Sequence, residues 1–340
     1  MREIAPREIA AREIAEGYRE FAKATKSSEF DAEDVALWHF PMMNDGVRND
    51  AYDKALGAAI KAKSTEKKAA SVLEIGTGSG LLALMAARHG ASRVVTYEGV
   101  PVIARKAVKI IEQNGYADRI QVVEGLSTNV KVALELAERF DVLVTEIFDD
   151  GLLGEGAFKA IKHAKEYLLK PAAQIIPARV RVMMMGIESQ EIYDNYRVGT
   201  ISGFDVRAFN EFGLQDYVGI HLDKMKYRAI SKPTPVFDFD FSNLPGKQSI
   251  SLDLDIVEGG FLHAIVYWFE LSMDENTVVS SGPGLAKLSS WKQAVQVAES
   301  AELRSKGEKV ALTADHDENA IWFTPRESVN KIEEEVTRSQ

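Results

Sequence analysis

The amino-acid sequence predicts an α/β fold, in which a doubly wound parallel sheet is followed by an antiparallel β domain. Short apolar strands alternate with helices from residue 71 to about residue 168, and such alternation is typical of a parallel sheet with helices on its faces. From residue 174 onward, β-branched and aromatic runs recur without long helices between them. That second pattern is typical of antiparallel strands, so we expect two domains.

Length and composition suit a soluble globular protein. The chain has 340 residues, of which 46% are hydrophobic and 27% charged, and this length is sufficient to bury a large core in two lobes. No apolar run reaches membrane-spanning length, and the N-terminus lacks the hydrophobic stretch of a signal peptide. We therefore expect a cytoplasmic protein, or a nuclear one in a eukaryote, with no membrane partner.

Cysteine content and net charge restrict the chemistry. The chain has no cysteine, which excludes disulfides, cysteine nucleophiles and thiolate metal sites, and we expect no metal. The formal net charge of −10 argues against direct nucleic-acid binding and suits a cationic ligand.

The N-terminal residues 1–29 are predicted to form a helical extension. The tetrapeptide Arg-Glu-Ile-Ala occurs three times in residues 2–15, and its charges fall at the i,i+4 spacing of helix-surface ion pairs. A five-residue period turns each isoleucine by about 140° around a helix, so these residues form no single coiled-coil seam. A second helical region is expected at residues 30–63, with an interruption at Pro41.

Residues 30–173 are predicted to bind a nucleotide-type cofactor. A strand at residues 71–75 leads into the loop Gly76-Thr77-Gly78-Ser79-Gly80, and a helix follows. The next strand, at residues 93–97, ends at Glu98, whose carboxylate can bind two ribose hydroxyls. Further strands are expected at residues 120–123 and 140–145, with helices at about residues 101–114 and 157–168. At this point NAD and S-adenosylmethionine fit equally well.

Two glutamates follow the strand at residues 140–145. Glu146 and Glu155 stand nine positions apart, and three glycines between residues 151 and 156 let the backbone turn back. Two carboxylates facing each other across such a hairpin suit a planar guanidinium, which accepts bidentate partners from two sides. The alternative readings are a solvated turn, or an ion pair with a nearby arginine or lysine.

Residues 174–340 are predicted to form a second, antiparallel β domain. Its segment at about residues 187–222 is less regular and rich in aromatic residues, which favours an arm that packs against something. The aromatic residues are Tyr193, Tyr196, Phe204, Phe209 and Phe212.

The order and spacing of these motifs resemble the protein arginine N-methyltransferase family of class I S-adenosylmethionine-dependent methyltransferases. The matching motifs are Glu74-x-Gly76-x-Gly78-x-Gly80, Glu98, the double-E loop Glu146 to Glu155, Asp45-Gly46-Val47-Arg48 and Trp291-Lys292-Gln293. The segments Gly154-Glu155-Gly156-Ala157 and Trp38 to Asp45 are most similar to branches of the family whose members carry two tandem modules, whereas this chain holds one. The resemblance implies a Rossmann-like domain, a β-barrel-like domain with a dimerisation arm, and a homodimer.

The resemblance also implies a role for each site residue. Glu146 and Glu155 would be catalytic and would bind the substrate together with Trp291. S-adenosylmethionine, which leaves as S-adenosylhomocysteine, would be bound by Met42, Arg48, Gly76, Gly78, Gly80, Glu98, Ser127 and Thr128. Arg48 would hold the cofactor's carboxylate, His39 would lie near the cofactor, and Asp149 and Asp150 would deepen the negative potential.

This chain departs from the family pattern in two places. Ser289-Ser290-Trp291 replaces a threonine-histidine-tryptophan triplet, so the histidine that would pair with Asp45 is missing. The N-terminal aromatic pair is incomplete, with Phe30 at the first place and Glu33 at the second. His316 stands between two aspartates, but its place in an expected β hairpin favours a structural role over metal binding.

The function expected from the resemblance is N-methylation of arginine residues in proteins. Methylation of free L-arginine, or of another small guanidino compound, is the nearest alternative. A non-catalytic scaffold that retains the fold and, more distantly, an NAD-dependent oxidoreductase are the others. The number and placement of the methyl groups do not follow from the sequence.

Overall fold

A computed structural model describes residues 37–129, 139–213, 215–285 and 290–326. The predicted N-terminal extension, Phe30, Glu33 and Ser289 lie outside these ranges. Within them, no helix is both long enough and apolar enough to cross a membrane.

Among the described residues, two helices precede the parallel sheet, and their bounds correct the expected interruption at Pro41. Helix α1 is His39–Met43 and helix α2 is Gly46–Lys63. Pro41 lies within the first turn of α1, where a backbone N–H has no intrahelical partner and proline is tolerated. The break falls instead at Asp45, whose side chain accepts a hydrogen bond from the Arg48 N–H at 3.1 Å and caps α2.

The first half of the chain forms the predicted parallel sheet. Its central strands are buried on both faces, and Val72, Leu73 and Leu143 have no exposed surface, as expected of parallel strands covered by helices. The strands are β1 Ser71–Ile75, β2 Arg93–Glu98, β3 Ile120–Glu124, β4 Phe140–Thr145 and β5 Leu169–Ile176; the helices are α3 Leu81–Arg88, α4 Pro101–Gln113 and α5 Ala157–His163. The strand order in the sheet is β3-β2-β1-β4-β5, and every adjacent pair is parallel.

The sheet brings three sequence motifs to one edge. Ile75 pairs with Tyr97 of β2 on one side and with Thr145 of β4 on the other. The glycine loop, Glu98 and Glu146 each follow one of these strand ends, so they emerge side by side. Strand order reverses at β1, and such a switch point is where ligands bind in open α/β sheets.

The second half of the chain is antiparallel, as predicted. The strands are β6 Arg179–Glu188, β7 Thr200–Ile201, β8 Phe204–Asp205, β9 Val218–Ile220, β10 Arg228–Ala229, β11 Thr234–Asp240, β12 Gln248–Asp255, β13 Gly260–Ser272, β14 Val278–Ser280, β15 Gln293–Arg304, β16 Lys309–His316 and β17 Ile321–Pro325. A seven-stranded sheet has the order β10-β6-β13-β15-β9, in which β11 also pairs with β6 and β14 also pairs with β13. Strands β12, β16 and β17 form a smaller sheet.

The segment between β6 and β9 contains the predicted arm. It consists of helix α6, Gln190–Tyr196, the two-stranded β7–β8 hairpin and a 3-10 turn at Arg207–Gly213. Three of its phenylalanines face outward, with exposures of 72% for Phe204, 68% for Phe209 and 81% for Phe212. Aromatic side chains exposed to this degree indicate a contact surface.

His316 is a core residue between the two halves of the molecule. It ends β16, is 1% exposed, and meets the rings of Phe158, Phe237 and Phe239 at centroid distances of 5.0 to 6.0 Å. Its Nε2 lies 3.2 Å from the Gln248 Oε1. Burial lowers the pKa of His316, which is consistent with a neutral, structural imidazole.

Candidate active site

Two adjoining cavities lie at the C-terminal ends of β1, β2 and β4. The larger has a volume of about 500 Å³ and the smaller about 340 Å³, and Gly76, Glu98, Ile147 and Glu155 border both. Of the residues singled out in the sequence, Met42, Arg48, Gly76, Gly78, Glu98, Glu146, Glu155 and Trp291 line the larger cavity, and Ser127 and Thr128 line the smaller. Gly80 lines neither cavity. It is the N-cap residue of helix α3 and has a φ of +81°.

The glycine loop passes close to the double-E loop. Gly76 has a φ of +88°, and a Cβ at this position would lie 2.5 Å from the Ile147 Cγ2, so no larger residue fits. The Gly78 N–H donates to the Glu98 Oε2 at 2.9 Å. The loop backbone is therefore fixed against β2 and borders the cavity.

Glu98 is held by backbone donors at the end of β2. Its Oε1 accepts from the Val100 N–H at 2.9 Å, in addition to the Gly78 bond on Oε2. A carboxylate oxygen accepts more than one hydrogen bond, and Glu98 borders both cavities. It can therefore also accept from a pair of hydroxyl groups.

Arg48 is buried at the start of α2 and pairs with Glu146. It is 4% exposed and continues the buried stripe of the helix that includes Tyr52 and Leu56. Its Nη1 donates to the Glu146 Oε2 at 2.5 Å, and its Nη2 donates to the Asn49 Oδ1 at 3.2 Å. Its Nε is buried, and no described residue forms a hydrogen bond with it. Glu146 thus forms the ion pair that was the alternative reading of the sequence, while still lining the cavity.

The two glutamates have different environments. Burial raises the pKa of Glu146 above its ordinary value, the charges of Glu155 and Asp45 add to this, and Arg48 opposes it only in part. Glu155 makes no such ion pair with any residue that the structure describes, and it is exposed to the cavity. The cavity walls still surround it, so desolvation, with the charges of Asp149 and other carboxylates, raises its pKa to about 7.

The double-E loop is not a β hairpin, which corrects the expectation from its glycines. It turns twice, with hydrogen bonds from the Leu152 N–H to the Asp149 O at 2.9 Å and from the Gly156 N–H to the Leu153 O at 3.1 Å. Leu152 takes a φ of +78°, a conformation that glycine usually supplies. Both glutamates therefore reach the larger cavity from a compact loop rather than from the two strands of a ladder.

Asp149, Asp150 and Trp291 hold this loop against the second half of the chain. The Trp291 Nε1–H donates to the Phe148 O at 2.9 Å, and the Lys292 N–H donates to the Asp150 Oδ1 at 2.8 Å. The Tyr217 hydroxyl donates to the Asp149 Oδ2. The two aspartates are thus not freely solvated turn residues.

A backbone hydrogen bond to Asp45 takes the place of the bond that the missing histidine beside Trp291 would form. The Ser290 N–H donates to the Asp45 Oδ2 at 2.9 Å, so Asp45 connects the start of α2 to the second half of the chain. The Ser290 hydroxyl is buried without a hydrogen-bond partner. His39 stacks on Trp38 at a centroid distance of 3.9 Å, and both rings line the larger cavity.

Glu74 is a site residue that sequence reasoning did not single out. It is 1% exposed, lines the larger cavity, and neither carboxyl oxygen has a hydrogen-bond partner in the described part of the chain. Burial raises its pKa to about 8; the nearby Thr96 hydroxyl and Ala83 N–H oppose this without reaching hydrogen-bond geometry. The available signal was its place as the first residue of the glycine motif.

Replacing Glu74 by glutamine should stabilise the cofactor-free protein at high pH. A carboxyl whose pKa is raised on folding contributes stability at low pH, and this contribution is lost as pH rises to about 8. Relative to wild type, the variant should gain on the order of 2–4 kcal/mol in unfolding free energy between about pH 5 and about pH 9. Urea denaturation at both pH values measures the unfolding free energy. Identical pH dependence of that free energy in the two proteins would refute the raised pKa of Glu74.

The pH dependence of turnover should report both glutamates of the double-E loop. A carboxylate must be ionised to hold a guanidinium, and burial raises the pKa of Glu155 to about 7 and that of Glu146 to about 8. We therefore expect kcat/KM for a guanidino substrate to fall as pH decreases through about 8 to about 7. Turnover that stays constant from about pH 5 to about pH 9 would contradict this role.

Comparison with protein-family models matches both halves of the chain. Residues 58–166 match the family described as ribosomal protein L11 methyltransferase (PrmA), and residues 179–330 match the arginine methyltransferase oligomerization subdomain. The first match covers the glycine loop and both glutamates. The second covers the antiparallel strands and the arm.

Individual proteins give the same answer. The arginine N(omega)-methyltransferase of Streptomyces achromogenes subsp. streptozoticus is 37% identical over 262 residues, which cover 76% of this chain and 70% of that protein. Protein arginine N-methyltransferase 7 of Aedes aegypti is 33% identical over 83% of this chain, which spans 47% of that relative. The Trypanosoma brucei PRMT1 enzyme–prozyme complex with AdoHcy shares the fold, with a TM-score of 0.72 at 20% identity, covering 84% of this chain and 89% of that one. The chain belongs to the family of S-adenosylmethionine-dependent arginine N-methyltransferases.

Proposed function

We propose that this protein transfers a methyl group from S-adenosylmethionine to a guanidino nitrogen of arginine residues in proteins. The observation that carries the proposal is the acidic cavity, in which Glu146 and Glu155 lie beside the glycine loop and Glu98. A guanidinium is a planar cation that two carboxylates can hold from different sides.

The larger cavity fits the amino-acid portion of S-adenosylmethionine. The Arg48 Nε is a buried donor without a partner, and Glu74 is a buried acceptor without one. These groups match a carboxylate and an ammonium respectively, and Arg48 would hold the carboxylate as the family resemblance implies. The remaining cofactor-binding residues would be Met42 against the cofactor, Gly76, Gly78 and Gly80 in the glycine motif, Glu98 at the ribose, and Ser127 and Thr128 at the adenine in the smaller cavity.

S-adenosylmethionine would supply an electrophilic sulfonium methyl group. Arginine is protonated and its lone pairs are delocalised, so the protein has to concentrate the positive charge away from the attacking nitrogen. Glu146, fixed by Arg48, and Glu155 would do so by accepting guanidinium N–H bonds. Glu155, which has no ion-pair partner and a pKa raised to about 7, would accept the proton released by transfer.

Trp291 would act at the wall of the substrate site. It lines the larger cavity, and its indole N–H is bonded to the Phe148 O. The indole would therefore present an apolar surface to the arginine side chain while holding the double-E loop.

Free L-arginine is the second candidate substrate. The 37% identity to an arginine N(omega)-methyltransferase supports it. Incubation with labelled S-adenosylmethionine and either arginine-rich peptides, matched peptides with lysine at each arginine, or free arginine would separate the candidates. Transfer to the arginine peptides only is expected; transfer to free arginine only would replace the first candidate by the second.

We further propose that the protein forms a homodimer through the arm. The outward-facing Phe204, Phe209 and Phe212 and the match to an oligomerization subdomain support this. Light scattering at micromolar concentration should give twice the chain mass, and a Phe209→Ser, Phe212→Ser variant should be monomeric. A monomeric wild type would reject the dimer. A cytoplasmic location, or a nuclear one in a eukaryote, stays a prediction from the sequence.

A further inference from the structure

Three consecutive residues of the double-E loop bind to the antiparallel half of the chain. Phe148 accepts from Trp291 at 2.9 Å, Asp149 from the Tyr217 hydroxyl, and Asp150 from the Lys292 N–H at 2.8 Å. The loop that carries both glutamates is thus positioned by residues outside the parallel sheet.

Asp149 differs from Phe148 and Asp150 because its side chain also accepts a hydrogen bond from the other end of the loop. Its Oδ1 accepts from the Gly154 N–H at 3.0 Å, while its Oδ2 accepts from the Tyr217 hydroxyl. Gly154 directly precedes Glu155. Two hydrogen bonds therefore connect Tyr217 to the backbone next to the more exposed of the two glutamates.

Two glycines leave room for this arrangement. A Cβ on Gly154 would lie 2.0 Å from the Asp149 Oδ2, and a Cβ on Gly151 would lie 2.4 Å from the Tyr217 Cε1. A larger residue at either position would therefore displace the Asp149 carboxylate or the Tyr217 ring. The two glycines thus accommodate the Asp149 carboxylate and the Tyr217 ring, in addition to turning the backbone.

Tyr217 is itself well placed to fix the loop. It directly precedes β9, which pairs with β15, and its ring meets Tyr267 edge-on at 5.8 Å. The arm lies immediately before it in the chain. Tyr217 is not among the residues that line either cavity, so it reaches the site through the loop residues that it contacts, among which Asp149 accepts its hydrogen bond.

We propose that Tyr217 is a positioning residue for methyl transfer, which orients Glu155 through the hydrogen-bonded chain Tyr217–Asp149–Gly154. The proposal rests on the proposed function of Glu155 as a guanidinium ligand. Misplacement of a reacting group by about 1 Å costs on the order of 100-fold in rate, so loss of the hydroxyl lowers kcat at least tenfold.

Tyr217→Phe removes the hydroxyl and keeps the ring. We expect kcat to fall at least tenfold, with an unchanged dissociation constant for S-adenosylmethionine. Tyr267→Phe is the matched control, because it removes a neighbouring hydroxyl that donates to the Ile321 O instead; it should retain wild-type kcat. Equal kcat in wild type and Tyr217→Phe would overturn the proposal.

Combination with Glu155→Gln distinguishes positioning from general stabilisation. If Tyr217 acts through Glu155, Tyr217→Phe should not lower the residual activity of Glu155→Gln any further. If the double variant instead loses kcat by the product of the two single losses, Tyr217 supports the fold independently of Glu155, and the proposal is overturned.

Hydrogen exchange of the Gly154 amide tests the same chain without any turnover. The amide should exchange at least tenfold faster in Tyr217→Phe than in wild type or Tyr267→Phe, and Asp149→Asn should give the same acceleration. Unchanged exchange in both variants would refute the connection. Absence of methyl transfer by the wild type would instead reject the proposed function, so the two failures are distinguishable.

Discussion

Replacing Glu155 by glutamine should lower kcat for methyl transfer by at least about a hundredfold and leave cofactor binding intact. The change keeps the shape of the side chain but removes the charge that is proposed to hold the guanidinium and the base that is proposed to accept its proton. Loss of one preorganised electrostatic contact costs on the order of 10²–10³ in kcat, and loss of the proton acceptor adds to this. Radiolabel transfer measures turnover, and calorimetry measures S-adenosylmethionine binding.

Glu112→Gln is the matched control for this experiment. Glu112 lies on the exposed face of α4 near its end, so the same substitution there should leave both measurements at wild-type values. Wild-type turnover in Glu155→Gln would mean that Glu155 has no part in the reaction. Simultaneous loss of cofactor binding would assign it to the cofactor instead.

Replacing Arg48 by methionine should affect both binding and stability. The variant lacks the proposed partner of the cofactor's carboxylate, and it leaves Glu146 buried without the guanidinium that it meets at 2.5 Å. Removing one partner of a buried ion pair costs about 3–5 kcal/mol. We expect at least a hundredfold weaker S-adenosylmethionine binding by calorimetry and a clearly lower unfolding free energy at neutral pH.

A second variant separates the two effects of Arg48. Arg48→Met combined with Glu146→Gln removes both charges, so it should recover most of the stability and none of the binding. Arg88→Met serves as the surface control, because Arg88 pairs with Asp53 while 58% exposed and should change either quantity by less than about 1 kcal/mol. Full cofactor affinity in Arg48→Met would disprove its proposed role.

Local spacing predicted the groups that follow strand ends. The glycine loop, Glu98 and Glu146 each lie one step beyond a short apolar run, and parallel pairing brings such ends to the same edge of the sheet. The antiparallel second half followed from β-branched and aromatic runs. Glu155, although on a loop, could be found because its distance in sequence from Glu146 is itself the signal.

Strand β15 shows where local patterns fail. Residues 293–304 are rich in alanine, glutamate and glutamine, which favour helices. Pairing with β13 along most of its length nevertheless makes the segment a strand, because tertiary contacts outweigh weak propensities. Strand β5, which contains Pro171 and two alanines, was likewise absent from the sequence prediction.

Contacts between distant residues were also invisible in the sequence. The Arg48–Glu146 ion pair joins residues 98 positions apart, and Tyr217 reaches Asp149 across 68 positions. Neither spacing has a period that a helix or strand would impose. The sequence therefore identified both glutamates but could not tell that one is paired with an arginine while the other faces the cavity without such a partner.

In the proposed function, the double-E loop presents an arginine guanidino group for methylation. Tandem mass spectrometry of the product formed from an arginine-rich peptide and S-adenosylmethionine deuterated at the methyl group tests it most directly. We predict that the label resides on a guanidino nitrogen of arginine, and the same spectrum reports how many methyl groups are added. Label on lysine, histidine or a carboxylate, with none on arginine in the peptide or as the free amino acid, would contradict the claim.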